Sequence, residues 1–358
     1  MELYQKLNSL IESNPNIKEL GLIVSTKKFD GEEEKPFLMV ENNLAVSFRF
    51  IPAIYRYCFE TLNKLLISIG DDFRNYDGSS SNSQSQSTTI NLSDDTILEL
   101  NHLSRAILFV NAENITALNV RKKLLCLSNY TTAEQEIKLL NLVFTKHPKS
   151  GEAWCHRRWV LNHAPHAFNL ELELVVCKRV GEIYPRNYYA WTHRWWALNR
   201  PNQLTCQNLI EDLNRVEKWV ERNVSDHSAY HHRYLILVQL FKDHVVFGWT
   251  LNQVYEIWTN EMRFTDKYIH LYPAHESLWC HKRALYLYWN KEIIITVTTS
   301  DDICNIMKRS SQIEYCNQII QDKDTSYYDD QVRFTNVYLK WINSSSSSDS
   351  SSSNFLNK

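Results

Sequence analysis

The segment His147-Pro-Lys-Ser-Gly-Glu-Ala-Trp-Cys-His-Arg-Arg-Trp-Val-Leu161 decides how this chain folds, because its centre recurs along the sequence. An aromatic residue or leucine with arginine three residues later stands in Ala117-Leu-Asn-Val-Arg121, Ala153-Trp-Cys-His-Arg157, Ala190-Trp-Thr-His-Arg194 and Ala229-Tyr-His-His-Arg233. Leu278-Trp-Cys-His-Lys-Arg283 repeats it with one residue more before its arginine. The ladder positions are 118, 154, 191, 230 and 279, at intervals of 36, 37, 39 and 49. A period of this size is one helical hairpin per repeat. The motif is expected on the first helix of each unit, over 153–161 or 190–199, and an amphipathic stretch such as 170–180 or 209–219 on the second. Thr131-Thr-Ala-Glu134 has capping-box spacing and predicts a helix start. Pro148, Pro185 and Pro273 precede ladder tryptophans, where proline is tolerated at the opening of a helix but not inside it.

Working outward, the 358 residues are 44% apolar and 12% aromatic but contain only 7 Gly and 8 Pro. Turns, hairpins and phosphate-cradling loops depend on those two residues, so their scarcity argues against a many-stranded sandwich, barrel or dinucleotide-binding fold. The expected fold is all-α, a right-handed α-α superhelix (solenoid) of about five helical hairpins resembling tetratricopeptide arrays. The ladder residues Trp154, Arg157, Trp191, Arg194, Tyr230, Arg233, Trp279 and Arg283 are expected to form its mortar, each arginine lying one turn from its aromatic and bonding carbonyls or stacking on a ring. Residues 1–92 read as an N-terminal helical region with a disordered Ser/Asn/Gln-rich loop at 78–89. Residues 93–322 read as the solenoid, and 323–358 as a C-terminal helix with a disordered Ser-rich tail. Residues 293–300 are β-prone and read as an insertion before a last helix near 301–321.

The formal charge of -2, without a basic block, argues against duplex nucleic acid. A charged start and no run of 18 apolar residues predict a cytoplasmic chain without a transmembrane segment. Eight scattered cysteines without a CxxC pair suggest reduced, mostly buried thiols, with Cys155 and Cys280 as small core residues. His156, His193, His232 and His281 occupy nearly the same repeat position. Stacked hairpins would hold them roughly 8 to 10 Å apart or more, too far for one metal, so a structural role is expected and no metal site is assigned. Lys149 stands at the mouth of one motif helix, and Asn187, Tyr188 and Tyr189 at the mouth of the next. There the helix dipole favours an anion, with phenols and an ammonium to strengthen a phosphate site. From spacing alone, the same residues read more readily as a solvated lysine beside packing tyrosines.

The segments 147–161, 184–194, 224–230 and 272–282 resemble the repeats of protein prenyltransferase α subunits, whose pattern is Pro-x-Asn-x-x-x-Trp-x-x-Arg-x-x-Leu. The likeness is greatest to the divergent third type, beside the α subunits of farnesyltransferase and Rab geranylgeranyltransferase, and covers roughly residues 10 to 290. It implies a crescent that wraps around a separate β subunit and is inactive alone; the partner implied for this type is the β subunit of Rab geranylgeranyltransferase. It also implies transfer of a geranylgeranyl or other prenyl group from its diphosphate to a cysteine near a protein's C terminus, with a farnesylated SNARE as substrate class. Zinc, and any magnesium, would sit in the β subunit, and this chain would bind no cofactor. Lys149 matches the slot of a lysine that contacts the diphosphate, which makes it the candidate catalytic residue; Asn187, Tyr188 and Tyr189 fall in the substrate or partner vicinity. Two departures stand out: Ser150 and Gly151 replace Asn-Tyr after the lysine, and Tyr189 replaces a histidine. The alternative is a non-catalytic tetratricopeptide-like scaffold that binds a protein partner. Its period would be 34, against 36 to 49 here.

Overall fold

Each ladder motif lies on a helix that a short turn joins to the amphipathic helix before it. The computed structural model describes residues 1–24, 35–71, 73, 92–127, 131–297, 302–322 and 328–345. Helix α1 (Glu2–Ser13) leads to strands β1 (Glu19–Ile23), β2 (Phe37–Val40) and β3 (Asn43–Ser47), then α2 (Ile51–Ile69). Hairpins follow: α3 (Asp94–Val110) with α4 (Ile115–Leu127), α5 (Ala133–Lys146) with α6 (Gly151–His163), and α7 (Leu170–Ile183) with α8 (Tyr188–Leu198). After these come α9 (Cys206–Val220) with α10 (His227–Lys242), α11 (Leu251–Leu271) with α12 (Glu276–Tyr288), and α13 (Arg309–Gln321) with α14 (Tyr328–Ser345). The fold is thus an all-α solenoid of helical hairpins with a small sheet added. The chain forms two compact units, Met1–Ala197 and Leu198–Lys358. Among the described residues no helix is long and apolar enough to cross a membrane.

Several expectations are corrected. The motif helix is the second of its hairpin, not the first. The N-terminal region is not wholly helical: β3 is the central strand, parallel to β1 and antiparallel to β2. Its strands are only four or five residues long, with Leu20, Phe37 and Leu44 turned into the core. The helix start near 131 is one residue later than its spacing suggested, because Thr132 and Gln135 make the reciprocal capping bonds. Ile293–Thr296 forms helical turns rather than a strand, since it prolongs α12 and buries Ile293. Cys155 is exposed and Cys280 half-buried, so neither is a core residue. The serine-rich loop at 78–89, residues 298–301 and the tail from 346 lie outside the described residues.

In the first unit one apolar core runs from Leu7 through Leu44, Ile107 and Phe144 to Trp154 and Ala190. Strand β1 is tied to α5 by the Leu20 N–H, which donates to Thr145 Oγ1 at 2.9 Å. Polar links join the hairpins. Glu136 on α5 accepts from Arg121 Nε of the preceding motif helix at 2.8 Å and from His156 Nε2 of its own hairpin at 2.8 Å. Glu173 on α7 repeats this with Arg157, at 2.7 Å through both Nε and Nη2, and with His193 at 2.7 Å. In the second unit Asp212 accepts from His232 at 2.7 Å, and Glu261 accepts from Arg233 Nε at 2.7 Å and His281 at 2.8 Å. All four acids are buried. Each histidine stands 20 residues after its acid. The arginines also reach back 20 residues to a carbonyl, as Arg194 does to Leu174 at 3.2 Å and Arg233 to Leu213 at 2.7 Å.

The last rung differs from expectation. Arg283 is exposed, and Lys282, three residues after Trp279, is fully buried in the ladder slot. It pairs with Asp266 and lies over the rings of Tyr315 and Tyr338. Helical geometry selects the residue three positions on, whatever its identity.

These links make stability pH-dependent. Burial pushes Glu136, Glu173 and Glu261 upward, but their arginine and histidine partners hold each down to about 2. Burial, against the opposing pull of Glu173, lowers His193 to about 4 and keeps it neutral at pH 7. The unfolded chain therefore binds protons first. The stability linked to His193 is lost as pH falls from about 6.5 towards 4, and that linked to the three glutamates as it falls from about 4.3 towards 2. Melting temperature should drop steadily below about pH 6.5; a flat profile between neutral pH and the folded-state value of His193 would contradict its assignment as a buried neutral imidazole.

Candidate functional site

The turn between α5 and α6 is built by its caps. His147 closes α5 and donates from Nε2 to the Phe109 carbonyl at 3.0 Å. Ser150 opens α6: its Oγ accepts the Ala153 N–H and donates to the Ala112 carbonyl, both at 3.1 Å. Between them the Lys149 side chain is exposed, with Nζ 3.9 Å from the centroid of the Tyr184 ring. Lys149 and Tyr184 line a cavity of about 590 Å³, which Lys146, His147 and the β1 residues Leu20 and Gly21 also line. Burial lowers His147 despite the Phe109 carbonyl, and the basic side chains of Lys146 and Lys149 stand with it in the cavity lining. The acidic residue Glu113 also lines it. An open, mixed cavity with two ammonium groups can neutralise an anion such as a diphosphate.

The residues expected near Lys149 divide by role. Asn187 is buried: its Oδ1 accepts the Tyr189 and Ala190 N–H groups at 3.1 and 3.3 Å, while its Nδ2 donates to the Pro148 carbonyl at 2.7 Å. That is the cap of α8 and a tie to the Lys149 turn, so its amide is engaged in structure rather than directed at a substrate. Tyr188 is 63% exposed and Tyr189 38%, their rings edge to face at 5.8 Å. Neither lines the cavity. Tyr189 instead lies on Gly151, where a Cβ would come within 3.1 Å of its Cε1. Gly151 thus makes room for the Tyr189 ring. Arg186, the counterpart of Lys149 in the next turn, takes a left-handed φ of 61°, and Ala274 one of 66°. Lys149 does not, so its turn has its own shape.

Sequence reasoning missed two features. The acids Glu136, Glu173, Asp212 and Glu261 carry a readable signal, the constant offset of 20 from each ladder histidine. Tyr184 carries none, since nothing in the spacing says that its ring lies beside Lys149. Among the described residues, no group of three or more His, Cys, Asp or Glu side chains is placed to hold a metal.

Residues 133–164, 170–201, 209–240 and 258–289 of these tandem hairpins match the protein prenyltransferase alpha subunit repeat. The chain therefore carries four tandem segments similar to that repeat. Each matched segment pairs an amphipathic helix with the motif helix after it; the hairpin holding Leu118 lies outside the four. The chain is 27% identical over 328 residues to human protein prenyltransferase alpha subunit repeat-containing protein 1, covering 78% of this chain and 75% of the relative. It is also 27% identical over 330 residues to the zebrafish (Danio rerio) protein of that name, covering 80% and 71%. The Xenopus laevis form 1-B matches at 27% over 321 residues, covering 76% and 68%.

Proposed function

We propose that this chain is the α subunit of a heterodimeric protein prenyltransferase, inactive alone, that supports transfer of a geranylgeranyl group from its diphosphate to a protein cysteine. The partner is a prenyltransferase β subunit, that of Rab geranylgeranyltransferase by family likeness, and a cytoplasmic farnesylated SNARE is the substrate class. Zinc, with any magnesium, belongs to the β subunit in this reading. The cysteine thiolate attacks the prenyl C1, the carbon–oxygen bond breaks, and inorganic diphosphate leaves. Lys149 neutralises charge gathering on that leaving group, an electrostatic role without proton transfer.

The observation that carries the proposal is the contrast between two lysines beside ladder motifs. Lys282 is sealed inside the ladder by Asp266, whereas Lys149 is held at the surface beside a cavity. Co-purification with a β subunit and a transfer assay test it. Lys149→Ala should lower kcat/KM by about 10- to 100-fold, less than a fully buried oxyanion donor would cost because this ammonium is solvated. An unchanged rate removes Lys149 from the reaction. Failure to bind any prenyltransferase β subunit leaves the scaffold reading in its place.

A further inference from the structure

We infer that Tyr184 is a positioning residue for Lys149: its ring holds the ammonium beside the cavity and so fixes where that charge meets an anionic ligand. This rests on the role proposed for Lys149 above. The turn between α7 and α8 grips the Lys149 turn at three points. Asn187 bonds the Pro148 carbonyl at 2.7 Å, Tyr189 covers Gly151, and Tyr184 places its ring centroid 3.9 Å from Nζ. The first two fix backbone. The third acts on the charge itself.

A free lysine side chain samples many rotamers, so an ammonium meant to meet one leaving group gains from a partner that narrows them. A carboxylate would do this but would cancel the charge. An aromatic face holds the cation while leaving its charge and its N–H groups available to a second ligand. Tyr184 suits that task because it is 45% exposed, so its ring contributes little to the core. Both residues line the same cavity, and the held ammonium is therefore at its wall. The ring face, and not the hydroxyl, is what the contact uses.

Two measurements test this, one of them independent of activity. Acylation of Lys149 in the purified chain with an amine-reactive ester, followed by peptide mass spectrometry, should run about two- to fivefold faster in Tyr184→Leu, the factor an exposed cation–π contact represents. It should be unchanged in Tyr184→Phe. Equal rates in all three proteins overturn the inference. In the complex with a β subunit, Tyr184→Leu should lower kcat/KM by the same factor of about two to five. Tyr184→Phe should restore it, and Tyr184→Leu should add nothing in a Lys149→Ala background. If Lys149→Ala slows transfer while Tyr184→Leu does not, the positioning role is wrong. If Lys149→Ala leaves transfer unchanged, the proposed role of Lys149 fails, and the labelling rates alone decide whether Tyr184 holds it.

Discussion

Glu173→Ala is expected to lower the stability of the folded chain by about 3–5 kcal/mol, the cost of leaving a buried charge without its partner. Glu173 accepts three hydrogen bonds, two from Arg157 and one from His193, each at 2.7 Å. Arg157 is fully buried and cannot turn to water when the carboxylate goes. It keeps Asn141 Oδ1 at 2.9 Å, which is neutral and leaves the charge uncompensated. Glu173→Gln preserves volume but loses the charge, so it should lie between wild type and alanine. Urea denaturation measures both. A loss under about 1 kcal/mol for the alanine variant would mean that water or a neighbouring group reaches Arg157. The effect should be local to the junction of α6, α7 and α8, because Glu136 serves its own arginine and histidine.

That junction also shows how much was legible in the sequence. The period, the helix pairs and the structural use of the histidines follow from spacing, because a helix face repeats at three and four residues and a hairpin at a fixed length. The acids lie outside the motif, on the helix before it, and are found only by comparing offsets rather than segments. The interval of 49 is explained by the 21 residues of α11 and the turn before it: the added length separates Arg233 from Glu261 but leaves the 20 residues from Glu261 to His281 intact. At the last rung residue identity pointed to Arg283 and geometry to Lys282, and geometry prevailed. The short strands lack the length that makes alternation readable, and the isoleucine run after α12 follows the helix it extends instead of its own propensity. At the candidate site the sequence places Lys149 on an exposed turn. The orientation of its ammonium depends on Tyr184, a contact between consecutive repeats that no local pattern encodes.

Trp154→Ala should cost about 3–5 kcal/mol by a different mechanism, the cavity left by a buried indole. Trp154 is fully buried, stacked on Phe144 at a centroid distance of 4.0 Å and against His193 at 4.8 Å. Trp191, the ladder tryptophan of the next hairpin, is only half-buried, so its alanine variant should lose clearly less. The rungs are therefore unequal, although the motif makes them look alike. Trp154 also donates from Nε1 to the Pro148 carbonyl at 3.1 Å, the same oxygen that Asn187 holds from the next repeat. Its loss should loosen the turn that carries Lys149 as well as the core beneath it. Thermal unfolding of Trp154→Ala and Trp191→Ala decides the ranking. Equal shifts, or a larger one at Trp191, would show that the indole at 154 is not the principal anchor of this hairpin.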